Sequence, residues 1–285
     1  MALTGLALLC AGTGFSYWQK TRFPARSIAL ASTPVELRVQ SGVTRRELHA
    51  VREGLRLTHR FMSRSLRRSV RKPVEARVAR ANGCHPFESS SGDSIGEADD
   101  GFLCISTRNL HWKYLIQKDF PAAAAIPGHE YVHVLQAELG CLSNGTNGRF
   151  RWLVEGMAEE VSWRALISAG WVTDRHVERA IARDALPDLG LGDRGLYPLA
   201  AYERANGADR EYALWHLAVR RLLRAAVEDG AAPRVQPEIA LRRFCERAGR
   251  EGDWRRAFAR SFGEPVTTFY HEFETFRARQ GSPAS

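Results

Sequence analysis

Lysine is scarce in this chain: of 41 basic residues only Lys20, Lys72, Lys113 and Lys118 are lysines, and the others are arginines. Beside the abundant alanine, that bias reads as a compositional habit of the source genome. The formal charge of +9 therefore says less about nucleic-acid binding than its size suggests. Long apolar runs are also missing. None reaches the roughly 18 residues that span a bilayer, which excludes a polytopic membrane protein. There is no internal repeat and no low-complexity linker. With 44% hydrophobic and 26% charged residues, collagen, coiled coil and disordered tail are excluded as well.

The five cysteines (Cys10, Cys84, Cys104, Cys141 and Cys245) contain no CxxC pair, so a zinc-finger site is excluded. Cys84 and Cys104 bracket a polar loop, ESSSGDSIGEADDG. A disulfide closing that loop is the expectation for an exported chain, and free thiols for a retained one. Residues 1–10 (MALTGLALLC) are apolar but have no basic residue ahead of them. The segment 1–33 is read as flexible, either an export or anchoring element that takes the protein outside the cytoplasm or a frayed start. Asn144-Gly145-Thr146 matches a glycosylation sequon, but in this Gly/Asn-rich stretch it reads as a turn.

What is present is an ordered series of short elements. Residues 35–40 (VELRVQ) and 73–80 (PVEARVAR) alternate as strands do, and residues 101–107 (GFLCIST) form a third candidate. The last precedes the motif helix described below. It reads either as an edge strand that binds extended peptide or as an ordinary internal strand. Between the first two lies an arginine-rich helix. Residues 44–72 hold ten basic side chains against Glu47 and Glu53, while Leu48, Val51, Leu55, Met62 and Leu66 recur at helical intervals. The favoured reading is a core-facing stripe with a solvated arginine face over 45–71. Contact with an anionic surface or nucleic acid is the alternative, and no specific nucleic-acid partner is expected. From Pro121 onward the signals are helical, over 127–139, 151–169, 174–185, 209–227, 237–248, 254–262 and 266–279. Gly140 and Gly170 stand where helices should end. The class is α+β: a small mixed sheet with one helix over 34–140, then a mainly helical lobe over 141–285.

Chemistry concentrates in two strings. His129-Glu130-Tyr131-Val132-His133 is an HExxH motif within an apolar stretch. On a helix, residues four apart share a face, so both imidazoles can address one ion, and Glu130 stands beside it as a base. Pro127 fits best as an early helical residue, which puts His129 in the first turn. The next predicted helix opens with Trp152-Leu153-Val154-Glu155-Gly156-Met157-Ala158-Glu159. Glu155 completes a His2Glu ligand set that leaves a coordination position open for water or substrate. Glu159, one turn on, suits the task of holding a ligand histidine through its other ring nitrogen.

HEYVH followed by WLVEGMAE resembles the gluzincin zinc metallopeptidases, the clan of thermolysin and the membrane alanyl aminopeptidases. The resemblance is sharp over roughly residues 121–165 and elsewhere rests on the order of elements. It implies a zincin-like fold with Zn2+ between the two lobes, held by His129, His133 and Glu155. It implies Glu130 as the general base of peptide-bond hydrolysis, with a peptide or protein as substrate. Such enzymes use a Tyr or His from the second lobe to stabilise the oxyanion. Tyr212 is the first choice, ahead of Tyr202 and His216, although Trp215 occupies a place where the family usually has glycine. No string for capturing a free amino terminus is present, so the aminopeptidase activity itself is not implied. A zincin-fold binding protein without turnover is the alternative from another functional class. Of the remaining histidines, His49, His59, His111, His176 and His271 are read as surface or capping residues, and His85, next to Cys84, has no partner spacing for a metal site.

Overall fold

The computed structural model describes residues 25–80, 95–142, 150–185, 197–203 and 209–280. Cys10, Cys84, His85 and the sequon at Asn144 lie outside them.

Alternation decides the strands. VELRVQ forms strand β2 (Val35–Gln40), burying Val35, Leu37 and Val39 on one face. VEARVA forms β3 (Val74–Ala79) and FLCIS forms β5 (Phe102–Ser106). These three pair in parallel, and β3 lies between β2 and β5. Two antiparallel strands complete the sheet, β1 (Ala25–Ala29) beside β2 and β4 (Gly96–Asp99) beside β5. The order is β1-β2-β3-β5-β4. One open reading closes here, and one expectation changes. The strand at residues 102–106 is internal, and the edge next to it is β4, drawn from the loop-like string before it. Strand β1 lies inside the segment 1–33, so the sheet starts earlier than residue 34.

The arginine-rich helix α1 (Arg45–Phe61) crosses from β2 to β3. Thr44 and Glu47 start it with a reciprocal capping box: Glu47 N donates to Thr44 Oγ1 at 3.2 Å, and Thr44 N donates to Glu47 Oε2 at 2.7 Å. Its stripe is buried through Val51 and Leu55, and continues through Met62 and Leu66 in a following π-helical turn. Arg45, Arg46, Arg52, Arg60, Arg64, Arg67 and Arg71 are exposed.

After a short helix α2 (Leu110–Lys118), the central helix α3 runs from Phe120 to Leu139. It begins well before Pro127, which corrects the expectation that His129 lies in the first turn. Asp119 caps it by accepting from Ala122 N at 3.1 Å, and Pro121 occupies the first turn, where its missing N–H costs nothing. Four alanines then carry the helix through to Pro127. The chain from Ala123 to Gln136 is almost wholly buried, as befits a helix apolar on all sides. It packs on α1, β4 and α4 (Arg151–Ser168). A Cβ at Gly54 of α1 would stand 2.8 Å from Pro127 Cγ, so only glycine admits the two backbones this close.

The helical part follows as α5 (Asp174–Ala185), α6 (Asp209–Glu228), α7 (Ile239–Glu251), α8 (Trp254–Phe262) and α9 (Val266–Gln280). A small mixed sheet at the front and helices behind it make the fold α+β. Helix α6 crosses α4 at Gly156, where a Cβ would meet Val219 Cγ2 at 2.7 Å. Past α3, capped by Gly140 with φ +92°, Cys141 forms a disulfide to Cys245 of α7. Cys104 is also disulfide-bonded, while its expected partner Cys84 lies outside the described residues. Among the described residues no helix is long and apolar enough to cross a membrane.

Candidate metal centre

Helices α3 and α4 lie against each other, and their facing turns bring three donor atoms to one point. His129 Nε2 is 3.0 Å from His133 Nε2, and Glu155 Oε2 is 3.2 Å from each. All three residues are buried. This group is arranged so that it can hold a metal ion. Neutral histidines that give their Nδ1 proton away present bare lone pairs at Nε2. Two such lone pairs and a carboxylate oxygen then face one another at hydrogen-bond distance, an arrangement that calls for a cation or a shared proton.

The outer contacts support that tautomer. Glu159 Oε1 lies 2.9 Å from His129 Nδ1, close in distance although Nδ1 lacks a well-aligned acceptor. Gln136, which sequence reasoning passed over, sits at 2.6 Å from His133 Nδ1 through its Oε1. Its amide nitrogen donates to the Val154 carbonyl at 2.8 Å, which fixes which end of the amide is oxygen. The only available signal was a glutamine three residues past His133, within reach of the same helix face.

Electrostatics follow from burial and from this crowding. Burial favours the neutral form of Glu155, but His133 and His129 outweigh it and hold the carboxyl well below its ordinary value. Burial also opposes charge on His129, yet Glu155 and Glu159 lift it well above the usual imidazole range. Glu130 differs. Burial raises it and the two histidines only partly offset this, so its carboxylate is a stronger base than one in water. Gly96 of β4 lies directly against it, close enough that a Cβ there would stand 2.6 Å from Glu130 Cγ.

Tyr212, in the first turns of α6, has its ring centroid 5.9 Å from that of His129. Burial, and next Glu155, push its phenol upward, with Arg151 opposing. Arg151 itself approaches Glu155 Oε1 at 3.3 Å. The other two oxyanion candidates lie elsewhere. Tyr202 is buried, its hydroxyl accepts from Tyr197 N at 3.2 Å, and its ring meets Trp215. Trp215 in turn packs 5.0 Å from the Tyr212 ring, so it separates the two tyrosines. His216 is buried against Glu160, with Nε2 to Oε2 at 2.7 Å. His59, read as a surface residue, meets the Tyr131 hydroxyl at 2.9 Å through Nδ1.

Searches of protein-family models and of curated proteins give no match to this chain.

Proposed function

We propose that the chain is a zinc-dependent metallopeptidase of zincin-like fold, with the metal between the sheet-bearing part and the helices. The observation that carries this reading is the convergence of His129, His133 and Glu155 within 3.0–3.2 Å of one another, with Glu130 alongside. The donor set suits zinc. His129, His133 and Glu155 would hold the ion, their donor atoms lying as near one another as ligands of a single small cation must. Two imidazoles and one carboxylate also match a catalytic rather than a closed structural site.

When bound, zinc supplies a Lewis acid and a water of lowered pKa. The remaining work belongs to the chain. Glu130, its basicity raised by burial, takes a proton from the attacking water and returns it to the leaving amine. The Tyr212 hydroxyl donates to the carbonyl oxygen as charge develops there. Glu159 and Gln136 hold the two imidazoles with their Nε2 atoms toward the ligand point.

Elemental analysis tests the first half: about one zinc per chain is expected, lost in Glu155→Ala. Digestion of a peptide library tests the second, with cleavage by the intact protein and none by Glu130→Gln. Normally folded protein without bound metal overturns the reading. Bound zinc with every activity unchanged in Glu130→Gln favours a zincin-fold binding protein instead.

A further inference from the structure

The geometry points to Gln136 as a positioning residue that fixes the His133 imidazole and thereby sets zinc affinity; its other end bridges to the second ligand helix. This rests on the metal reading given above. Gln136 lies on α3, three residues beyond His133, and is only 1% exposed. A buried primary amide must satisfy both its ends, because an unpaired polar group there loses its water without any replacement partner. Here both are satisfied by groups of the site. The oxygen accepts from His133 Nδ1 at 2.6 Å, and the nitrogen donates to the Val154 carbonyl at 2.8 Å.

The second bond decides the meaning of the first. A carbonyl oxygen only accepts, so the amide nitrogen is bound to face Val154 and the amide cannot flip. Its oxygen must then face His133, and an oxygen can only receive the Nδ1 proton. Protonation at Nδ1 leaves Nε2 as the lone-pair nitrogen, and Nε2 is the atom directed at His129 and Glu155. One amide thus selects the ligating tautomer. Val154 immediately precedes Glu155, so the same amide also ties the His133 ring of α3 to the backbone beside the carboxylate ligand of α4. His129 has a counterpart in Glu159, but that contact is less well aligned. Of the two imidazoles, His133 is the better-held one.

Two variants separate this role from simple packing. Gln136→Leu keeps the volume and removes both bonds. Gln136→Glu keeps an acceptor for Nδ1 and removes the donor to Val154. Zinc affinity, read by competition with a chromophoric chelator, should fall about 10–100-fold in Gln136→Leu. In Gln136→Glu it should stay within about threefold of the intact protein, because an acceptor on Nδ1 remains. A second readout needs no metal: ring-nitrogen NMR of the metal-free protein should show the His133 proton on Nδ1, moving to Nε2 in Gln136→Leu. Equal loss of affinity in both variants, unchanged affinity in Gln136→Leu, or an unchanged tautomer overturns the assignment. Intact protein that takes up no zinc yet shows the Nδ1 proton and its loss in Gln136→Leu refutes the metal reading and the affinity claim, while the hold on the ring stands.

Discussion

Gly96 of the edge strand β4 rests against the side chain of Glu130, leaving no room for a Cβ beside Glu130 Cγ and Cδ. The absence of a side chain at one residue thus determines where the carboxylate of the other can lie. Glu130 has the strand directly against it and the two histidines near enough to offset part of the effect of its burial. In Gly96→Ala the carboxylate has to move. Zinc content should be unchanged, while kcat drops by about 10–100-fold, a fraction of what a positioned proton-transfer group contributes. Kinetics together with metal analysis check this, and wild-type kcat in Gly96→Ala counts against a proton-transfer role at that position.

Tyr212 carries a separate expectation. Tyr212→Phe removes one hydroxyl and keeps the ring that packs on Trp215 and His129. Loss of a single oxyanion donor lowers kcat by about 100- to 1000-fold, and KM should change little. Tyr202→Phe should leave turnover intact, since that hydroxyl bonds Tyr197 N behind Trp215. Steady-state kinetics of the pair settle the choice, and equal effects in both variants refute it.

Acid stability should depend on Glu160. Burial favours its neutral form, but His216, Arg220 and Arg164 bring the carboxyl down to about 2 from 4.5. A folded value below the unfolded one means stability that is complete above pH 4.5 and lost as the pH falls toward 2. The contribution near neutrality is about 3 kcal/mol. Denaturant unfolding across pH 2–6 should show this slope in the native protein and a flatter one, from a lower plateau, in Glu160→Gln. Parallel curves would contradict it.

The Cys141–Cys245 bond closes a loop across a sequence separation of 104 residues. Chain-entropy arguments give such a closure roughly 4–5 kcal/mol of stabilisation, and measured removals fall at about 2–5 kcal/mol. The double variant Cys141→Ser/Cys245→Ser should lose that amount in chemical denaturation. It should also release zinc more readily on heating, since α3 ends beside the bond. Unaltered stability would mean the bond constrains nothing that the packing does not already hold.

The candidate donors that the structure brings together were legible in the sequence because they obey a local rule. His129 and His133 are one turn apart, as are Glu155 and Glu159, and helical periodicity alone puts each pair on one face. The arginine-rich helix was legible for the same reason, from its stripe at Val51, Leu55, Met62 and Leu66 and its Thr44/Glu47 start. What escaped depends on partners distant in sequence. GEAD in β4 has no alternation to mark it as a strand, and it becomes one by pairing with β5 and lying on α3. Gln136 gains its meaning from a backbone carbonyl on another helix. Read from Pro127, helix α3 loses its first two turns, which the Asp119 cap and the alanines after Pro121 supply. The pairing of Cys141 with Cys245 left no trace in either residue's neighbourhood.

That bond has a topological consequence. The histidines of the candidate metal centre precede Cys141, whereas Glu155 and Tyr212 lie between Cys141 and Cys245. A protease that cuts the chain once between Glu155 and Tyr212 therefore produces two fragments that remain one covalent molecule, with all three candidate donors on the first and the tyrosine on the second. Such a nicked species would run intact on a gel until reduced.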